Sequence, residues 1–321
     1  MRHIFGGSWL LAICLVAARF AIAAETPPPW AFVVNPPDFQ REKDDGSQRH
    51  VPDSTLTLTL TQVRDRYYAP DWHPEDHPPM PEVVAHGRKP DIWACGYCHR
   101  ADGRGGPENT NMTGMTVEYM LQQMAQYRDG SRTTSEKKSG LAVWMHQFSR
   151  AITDEDSLTA AKYFASLPLV SMVSVVETKM VPKTVISEAH LVPAPGGGSE
   201  PIGARIIELP ADTEHFTSRD GRVRFTAYVP PGSIEKGRRL VTTGGNGRTV
   251  ACATCHGPNL RGTGVIPPIV GRFPTYVLRQ LFDIKAGSRH GGYNELMKPT
   301  VEKLTLDDMI ALAAYTSSLK P

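Results

Sequence analysis

The sequence predicts a mainly α-helical protein made of two similar domains, with a coil-rich N-terminal extension before them and a small β-rich insertion between them. Two cysteine motifs superpose when residue 95 is shifted onto residue 252, and the similarity continues beyond them. Apolar residues recur at helical spacing after Thr153 and Thr305, whereas β-branched residues alternate within 169–232. The predicted segments are the extension 25–81, the first domain 82–168, the insertion 169–232 and the second domain 233–321.

The composition fits such a chain and excludes one class of partner. Its 321 residues are enough for two ordinary domains with connecting segments. Pro (27) and Gly (28) are both frequent, as expected where much of the chain is loop. Lys and Arg number 35 against 33 Asp and Glu, and no basic run is long enough to form a nucleic-acid-binding face. We therefore expect no nucleic-acid partner.

Residues 1–24 have the features of a secretory signal peptide. A charged start at Arg2 is followed by an apolar run and by small residues that end at Ala24, where we expect cleavage. The apolar run is interrupted by Arg19 and is short for a membrane span, so an uncleaved N-terminal anchor is the second interpretation. A lipoprotein anchor at Cys14 is disfavoured because Ile13 is too large for that processing site. We predict an exported, periplasmic protein.

The other four cysteines indicate the cofactor. They all lie in two copies of Cys-x-x-Cys-His, namely Cys95, Cys98 and His99, and Cys252, Cys255 and His256. This is the attachment pattern of haem c, in which two thioether bonds hold the macrocycle and the adjacent imidazole binds the iron. Two disulfides or a zinc site are the alternatives, but two such motifs that use every mature cysteine of an exported chain favour haem. We predict two covalently bound haem c groups, with His99 and His256 as iron ligands.

The similarity between the two halves extends past the motifs. The matched positions are Gly114 with Gly271, Tyr119 with Tyr276, Gln123 with Gln280, and Gly130-Ser131-Arg132 with Gly287-Ser288-Arg289. Farther along, the register shifts, yet Met145 and Met297 each stand the same distance before an acidic segment. A duplicated domain explains this pattern.

Each half resembles a class I cytochrome c, and the tandem resembles the dihaem cytochrome c4 family, over roughly residues 82–168 and 233–321. The resemblance implies a first helix before each haem motif, a middle helix with the Tyr-x-x-x-Gln pattern, a loop that presents a distal methionine, and a final helix that crosses the first. Thr153 and Thr305 stand where N-caps of the final helices are expected, with acidic residues following them.

The resemblance also implies that Met145 and Met297 are the distal iron ligands. A methionine in an apolar context is usually core packing, but here its position within a duplicated pattern favours ligation. In the first half, His146, Met112 and Met115 stay open as alternatives. A His146 ligand would lower the potential of that haem relative to a Met/His pair.

The two halves differ behind the proximal histidine. In class I cytochromes a proline carbonyl accepts the imidazole N–H, and Pro267 occupies that place in the second half, whereas the first half has Thr110.

Four basic residues are candidates for neutralising haem propionates, with ordinary surface charge as an equal alternative: Arg132, Arg289, Lys285 and Arg261.

Outside the repeat, the extension and the insertion have different patterns. The extension is rich in Pro, and its Thr/Leu alternation over 55–61 predicts one short strand. His73 and His77 lie among acidic residues, but the neighbouring prolines favour structural coil over a metal cluster. In the insertion, three stretches predict strands that pack across the domain junction: 173–176, 204–209 and 222–229.

Irons with a protein ligand on each face have no position for a substrate, so the sequence predicts an electron-transfer protein rather than an enzyme. The expected partners are other redox proteins, with a dehydrogenase or quinol-oxidising complex as donor and an oxidase or reductase as acceptor. The rival hypothesis is a dihaem peroxidase or thiosulfate dehydrogenase with a labile ligand at the first haem. A cytochrome subunit of a dehydrogenase complex is the third.

Because Thr110 replaces the proline found behind the second haem, we predict that the two haems differ in reduction potential. A spectroscopic redox titration of the dihaem protein should show two resolved steps. A titration that fits a single potential for both haems would contradict this expectation.

Overall fold

The computed structural model describes residues 26–321, except for the side chains of Leu141 and Ala142. The predicted signal peptide 1–24 lies outside the described residues. Within 26–321, none of the helices has the length and apolar character needed to cross a membrane.

Helices dominate both haem-motif regions, and the strands are confined to the segment between them. The α-helices of the described chain are α1 (Leu60–Val63), α2 (Glu82–Ala85), α3 (Cys95–His99), α4 (Val117–Asp129), α5 (Gly140–Ala151), α6 (Asp154–Ala165), α7 (Thr213–Thr217), α8 (Ser233–Thr243), α9 (Ala253–His256), α10 (Pro274–Lys285), α11 (Lys298–Val301) and α12 (Leu306–Ser318). Two 3-10 helices are Pro74–Asp76 and Gly292–Met297. The strands are β1 (Val173–Glu177), β2 (Met180–Pro182), β3 (Thr184–Ser187), β4 (His190–Pro193), β5 (Ser199–Pro201), β6 (Ile207–Pro210) and β7 (Phe225–Val229).

In the second haem-motif region, α8 packs across α12, as the sequence predicts. The helices approach closely at Gly237, where an added Cβ would lie 1.9 Å from the carbonyl oxygen of Ala311. Thr305 caps α12: its side chain accepts the Asp308 N–H, and the Asp308 side chain accepts the Thr305 N–H. The buried face of α12, including Met309 and Ile310, forms much of the core there.

The first haem-motif region keeps the middle and final helices but shortens the first. Thr153 caps α6, and α6 packs on α4. The final helix therefore begins where the sequence predicts. The expected first helix is only the single turn α2, whose Val83 and Val84 are buried in this core. A further difference is that Met145 lies within α5, not in a loop.

The insertion 169–232 carries the β structure that the sequence predicts. β7 is the central strand of a three-stranded sheet, pairing in parallel with β1 and antiparallel with β6. β2 pairs with β5 and β3 with β4 in two small antiparallel ladders. The sheet contacts α12 through β1, so the insertion packs against the second haem-motif region.

The prediction of a strand over 55–61 is wrong. Leu58 makes one isolated bridge with Arg49, and Thr59 instead caps the one-turn helix α1, accepting the backbone N–H of Gln62. The capping interaction needs only the local pairing of Thr59 with Gln62, whereas a strand would need a partner strand along its length. Leu58 and Val63 are buried together with Trp72 in a small separate cluster.

The two haem-motif regions pair with each other through the duplicated Gly-Ser-Arg segments. Arg132 and Arg289 form an antiparallel bridge, in which the Thr133 N–H donates to Ser288 O (2.7 Å) and the His290 N–H donates to Ser131 O (2.8 Å). The sequence repeat therefore appears in space as a contact between equivalent residues.

The close approach at Gly237 gives a stability prediction. Gly237→Ala should lower the free energy of unfolding by about 1–3 kcal/mol, because α8 must move away from the Ala311 carbonyl. Urea unfolding followed by circular dichroism measures the change. The matched control is Gly196→Ala, since an added Cβ there meets nothing within 4 Å. Equal stability of the two variants would show that α8 and α12 tolerate a side chain between them.

Candidate cofactor-binding sites

Both Cys-x-x-Cys-His motifs form single helical turns. In α3 the side chains of Cys95, Cys98 and His99 project to one side because residues three and four apart share a helix face. In the second motif, Cys252 has helical dihedral angles (φ −61°, ψ −34°) and leads directly into α9. The four cysteines are free of disulfide bonds, and burial raises the pKa of Cys95 to about 12. The thiols are therefore presented unpaired at both sites.

A backbone carbonyl orients each motif histidine. Nδ1 of His99 lies 3.0 Å from Thr110 O, and Nδ1 of His256 lies 2.8 Å from Pro267 O. Burial lowers the pKa of both histidines, which favours the neutral ring. An imidazole that donates its Nδ1–H to a carbonyl keeps Nε2 unprotonated, as an iron ligand requires. Thr110 thus provides the same hydrogen bond as Pro267.

A cavity adjoins the first motif. Cys95, Cys98 and His99 line it, and so does Met145. The side chain of His146 is not part of the lining, and its Nδ1 lies 2.5 Å from Tyr127 O. Four other methionines also line the cavity: Met112, Met115, Met120 and Met124. This apolar wall, with two thiols and an imidazole at one side, fits a covalently attached haem.

At the second motif, two of the predicted groups pack against one core. Met297, at the end of its 3-10 helix, packs against the same buried core as Cys252 and Ala253. The Thr249 hydroxyl donates to Thr300 O (2.8 Å) and so ties the segment before the motif to the segment after Met297. His256 is buried, whereas Cys255 is exposed. Cys252, Cys255, His256 and Met297 are of the residue types that a covalently bound haem c requires.

Two buried arginines lie between the haem-motif regions. Arg132 donates to Gln123 Oε1 (2.8 Å), and Arg289 donates to Gln280 Oε1 (2.7 Å) and to Gln123 Oε1 (2.9 Å). Within 26–321, neither guanidinium has a carboxylate within ion-pair distance. Because buried cations require negative partners, this pair fits the propionates of a haem. Arg261, by contrast, is exposed, and Lys285 donates to Leu304 O.

Several residues that line the first cavity are not predictable from the sequence. Trp30–Val33 from the extension and Ala189–Leu191, Phe216 and Phe225 from the insertion all reach it. Glu208 on β6 is a buried carboxyl group (5% exposed) in this wall. It accepts hydrogen bonds from the Thr275 hydroxyl and backbone N–H, and its Oε1 has no partner among the described residues. An alternating strand pattern predicts a strand but does not show which cavity it will line.

The comparisons with known proteins agree with this geometry. A family model described as cytochrome c matches residues 234–320. Cytochrome c4 from Pseudomonas aeruginosa is 26% identical over 229 residues, which cover 70% of this chain and 83% of that protein. Cytochrome c-554(548) from Halomonas halodenitrificans is 36% identical over 76 residues, covering 23% of this chain and 86% of that protein.

This chain belongs to the cytochrome c family. It is a class I cytochrome of the cytochrome c4 type, and its cofactors are two covalently bound haem c groups. The solved structure of Acidithiobacillus ferrooxidans cytochrome c4 is 21% identical, covers 70% of this chain and 98% of its own, and superposes with a TM-score of 0.46.

Glu208 makes the stability of the cytochrome depend on pH. Burial raises the pKa of its carboxyl to about 7 from the usual 4.5, so the folded protein holds a proton that the unfolded chain has released. The stabilising contribution is complete below pH 4.5 and is lost as the pH rises through 7. Relative to Glu208→Gln, the wild type should lose up to about 3 kcal/mol of unfolding free energy between pH 5 and pH 8.

Urea unfolding at pH 5 and pH 8 measures this loss, with Glu214→Gln on the exposed face of α7 as the matched control. If the difference between wild type and Glu208→Gln is the same at both pH values, Glu208 does not titrate in this range.

Proposed function

We propose that this cytochrome carries single electrons between redox proteins of the periplasm, and that both irons have a protein ligand on each face. His99 and Met145 would hold the first iron, and His256 and Met297 the second. When bound, haem c supplies a one-electron iron couple. The protein orients the ring, excludes water and sets the potential.

The observation that carries this proposal is the position of Met145. It lies in the wall of the cavity that also receives Cys95, Cys98 and His99, whereas the neighbouring His146 is held by the Tyr127 carbonyl outside that wall. A thioether ligand from this wall, which Met112 and Met115 also line, would leave the iron no open face for a substrate. The second site supports the same arrangement, since Met297 packs with Cys252 in one core.

The periplasmic location is supported by the signal-peptide pattern of residues 1–24. The proposed donors are dehydrogenases or quinol-oxidising complexes, and the proposed acceptors are oxidases or reductases. Carriers of this kind need no substrate pocket, and the proposed ligand sets would leave neither iron a position for a substrate.

Ligand substitution tests the assignment. The oxidised dihaem protein should show the far-red absorption band of methionine-ligated ferric haem and should not bind cyanide rapidly. Met145→Ala and Met297→Ala should each remove about half of this band and make one iron reactive towards cyanide. His146→Ala, the matched control beside Met145, should leave the band and the cyanide reactivity unchanged.

Two results would overturn the proposal. Rapid cyanide binding or a high-spin spectrum in the wild type would indicate an open iron, as in a peroxidase or thiosulfate dehydrogenase. Loss of the band in His146→Ala with retention in Met145→Ala would assign the first iron to two histidines.

A further inference from the structure

Glu208 is a carboxyl group that the insertion places in the wall of the first haem cavity. It lies on β6 and lines the cavity that Cys98 and His99 also line. Its neighbours on the strand, Ile207 and Leu209, are buried in an apolar cluster. A carboxylate that is taken out of water in this way is unfavourable unless hydrogen-bond donors or positive charge compensate for the lost hydration.

The hydrogen bonds to Glu208 compensate for burial at only one of its two oxygens. Oε2 accepts the Thr275 hydroxyl and, at 3.3 Å, the Thr275 backbone N–H, which belongs to the first turn of α10. A helix N-terminus favours a negative charge. Oε1, by contrast, is buried without a hydrogen-bond partner in the part of the chain that the structure describes. The site therefore stabilises the carboxylate through one oxygen and leaves the other oxygen free to carry a proton.

The charged neighbours of Glu208 act in opposite directions. From α10, Arg279 favours the carboxylate, but its guanidinium donates to backbone carbonyls of the extension and of the loop after the first motif. Glu108 in that loop disfavours a second negative charge. His190 lies on β4, which packs on β6, and burial lowers its pKa. The extension residues 30–33 in the same wall carry no charge. No neighbour therefore determines the charge of Glu208 alone.

Two other titratable groups of α10 line the cavity but interact with different residues. Asp283 accepts the Ser135 N–H (2.8 Å), and Tyr276 has Arg132 as its main charged neighbour. For Glu208 itself, burial raises the pKa to about 7, against the Thr275 hydrogen bonds and Arg279, which lower it. Small changes of charge in the cavity therefore change the protonation of this carboxyl near neutral pH.

The cofactor of the first cavity undergoes such a change of charge. When bound, haem c supplies an iron that loses one positive charge on reduction. Loss of a positive charge from a buried site makes a carboxylate in the wall of that site less favourable, because charges interact strongly at the low effective dielectric of a protein interior. Glu208 should therefore bind a proton more tightly in the reduced protein than in the oxidised protein.

We propose that Glu208 is a proton-binding site linked to the first haem, so that the cytochrome takes up a proton when this haem is reduced and releases it on oxidation. The iron accepts one electron from a redox partner. The carboxylate accepts one proton from water, and an O–H bond forms on Oε1. Oxidation reverses both steps, so the net charge of the cavity stays the same. The inference rests on the proposed electron-carrier function, since an electron must pass through the first haem.

A redox titration of the dihaem protein from pH 5 to pH 9 tests the proposal. One of the two midpoint potentials should fall across this range, because the reduced form binds the proton at least threefold more tightly than the oxidised form. A threefold ratio converts to about 28 mV for a one-electron couple. Glu208→Gln should abolish the fall and keep the potential near its low-pH value, since an uncharged amide resembles the protonated acid.

A charge insertion identifies which haem is linked to the proton. Thr254 is exposed on the second attachment turn, so Thr254→Lys should raise the potential of the second haem. The step that falls with pH should be the other one. If the step that Thr254→Lys raises is also the step that falls with pH, the proposed link to the first haem is wrong.

Two further variants separate protonation of Glu208 from a general effect of charge. Glu108→Gln is the matched control, because it removes another carboxyl from the lining of the same cavity. It should retain the fall of the potential with pH. Thr275→Val removes the hydroxyl that donates to the Glu208 carboxylate and so disfavours the charged form. This variant should move the fall to higher pH.

Infrared difference spectroscopy gives a readout that a purely structural role of Glu208 would not change. At pH 7, reduction of the wild type should produce a carboxylic-acid C=O band that shifts in D2O. The band should be absent from Glu208→Gln and present in Glu108→Gln. Because the wild-type spectrum alone reveals the proton, its lack of such a band would refute the proposal even if Glu208→Gln does not fold.

The titration can also refute the proposal directly. Potentials of the wild type that do not change with pH would show that no proton is linked to reduction. An unchanged fall in Glu208→Gln would assign the proton to another group, such as a haem propionate. Failure of this inference is distinguishable from failure of the electron-carrier proposal, because cyanide reactivity reports on iron ligation, whereas the Glu208 variants keep the same proposed ligands.

Discussion

The hydrogen bond between each motif imidazole and a backbone carbonyl is the interaction on which both sites depend. It closes the loops from His99 to Thr110 and from His256 to Pro267, and it sets the ring orientation that an axial ligand requires. The two loops have different sequences, yet the donor and the acceptor occupy equivalent places. A proline stiffens the acceptor segment but is not required for the bond, because every residue carries a carbonyl oxygen. The loop sequence can therefore differ between the two domains while the hydrogen bond to the histidine is kept.

The second constraint is the burial of Arg132 and Arg289 where the domains meet. Two guanidiniums that share glutamine acceptors and lack carboxylate partners among the described residues would repel each other in a dry interface. Haem propionates, which each c-type haem carries, would supply the missing charge. The binding of the cofactors would then stabilise the pairing of the domains that the backbone bridge between the Gly-Ser-Arg segments makes.

Local signals in the sequence predicted most of the helical fold and of the haem-attachment sites. The caps at Thr153 and Thr305, the middle helices and the insertion strands depend on neighbouring residues, and all were confirmed. The strand over 55–61 failed because Thr59 found a nearer partner in Gln62. The burial of Glu208 and the packing of Arg219 on Tyr97 arise from contacts between segments that are distant in the chain. The periodicity of the sequence does not predict such contacts. Arg132 and Arg289 were only partly predicted, since the repeat identified them as equivalent residues but did not indicate that they are buried.

Segments far apart in the chain pack on the first haem-attachment turn. Ala69 precedes that turn, whereas Phe216 and Arg219 follow it at a distance. Cys95 and Cys98 line the first cavity, whereas Cys255 at the second turn is exposed. A molecule that reacts with the thiols must therefore enter the cavity at the first turn, but it meets Cys255 at the protein surface.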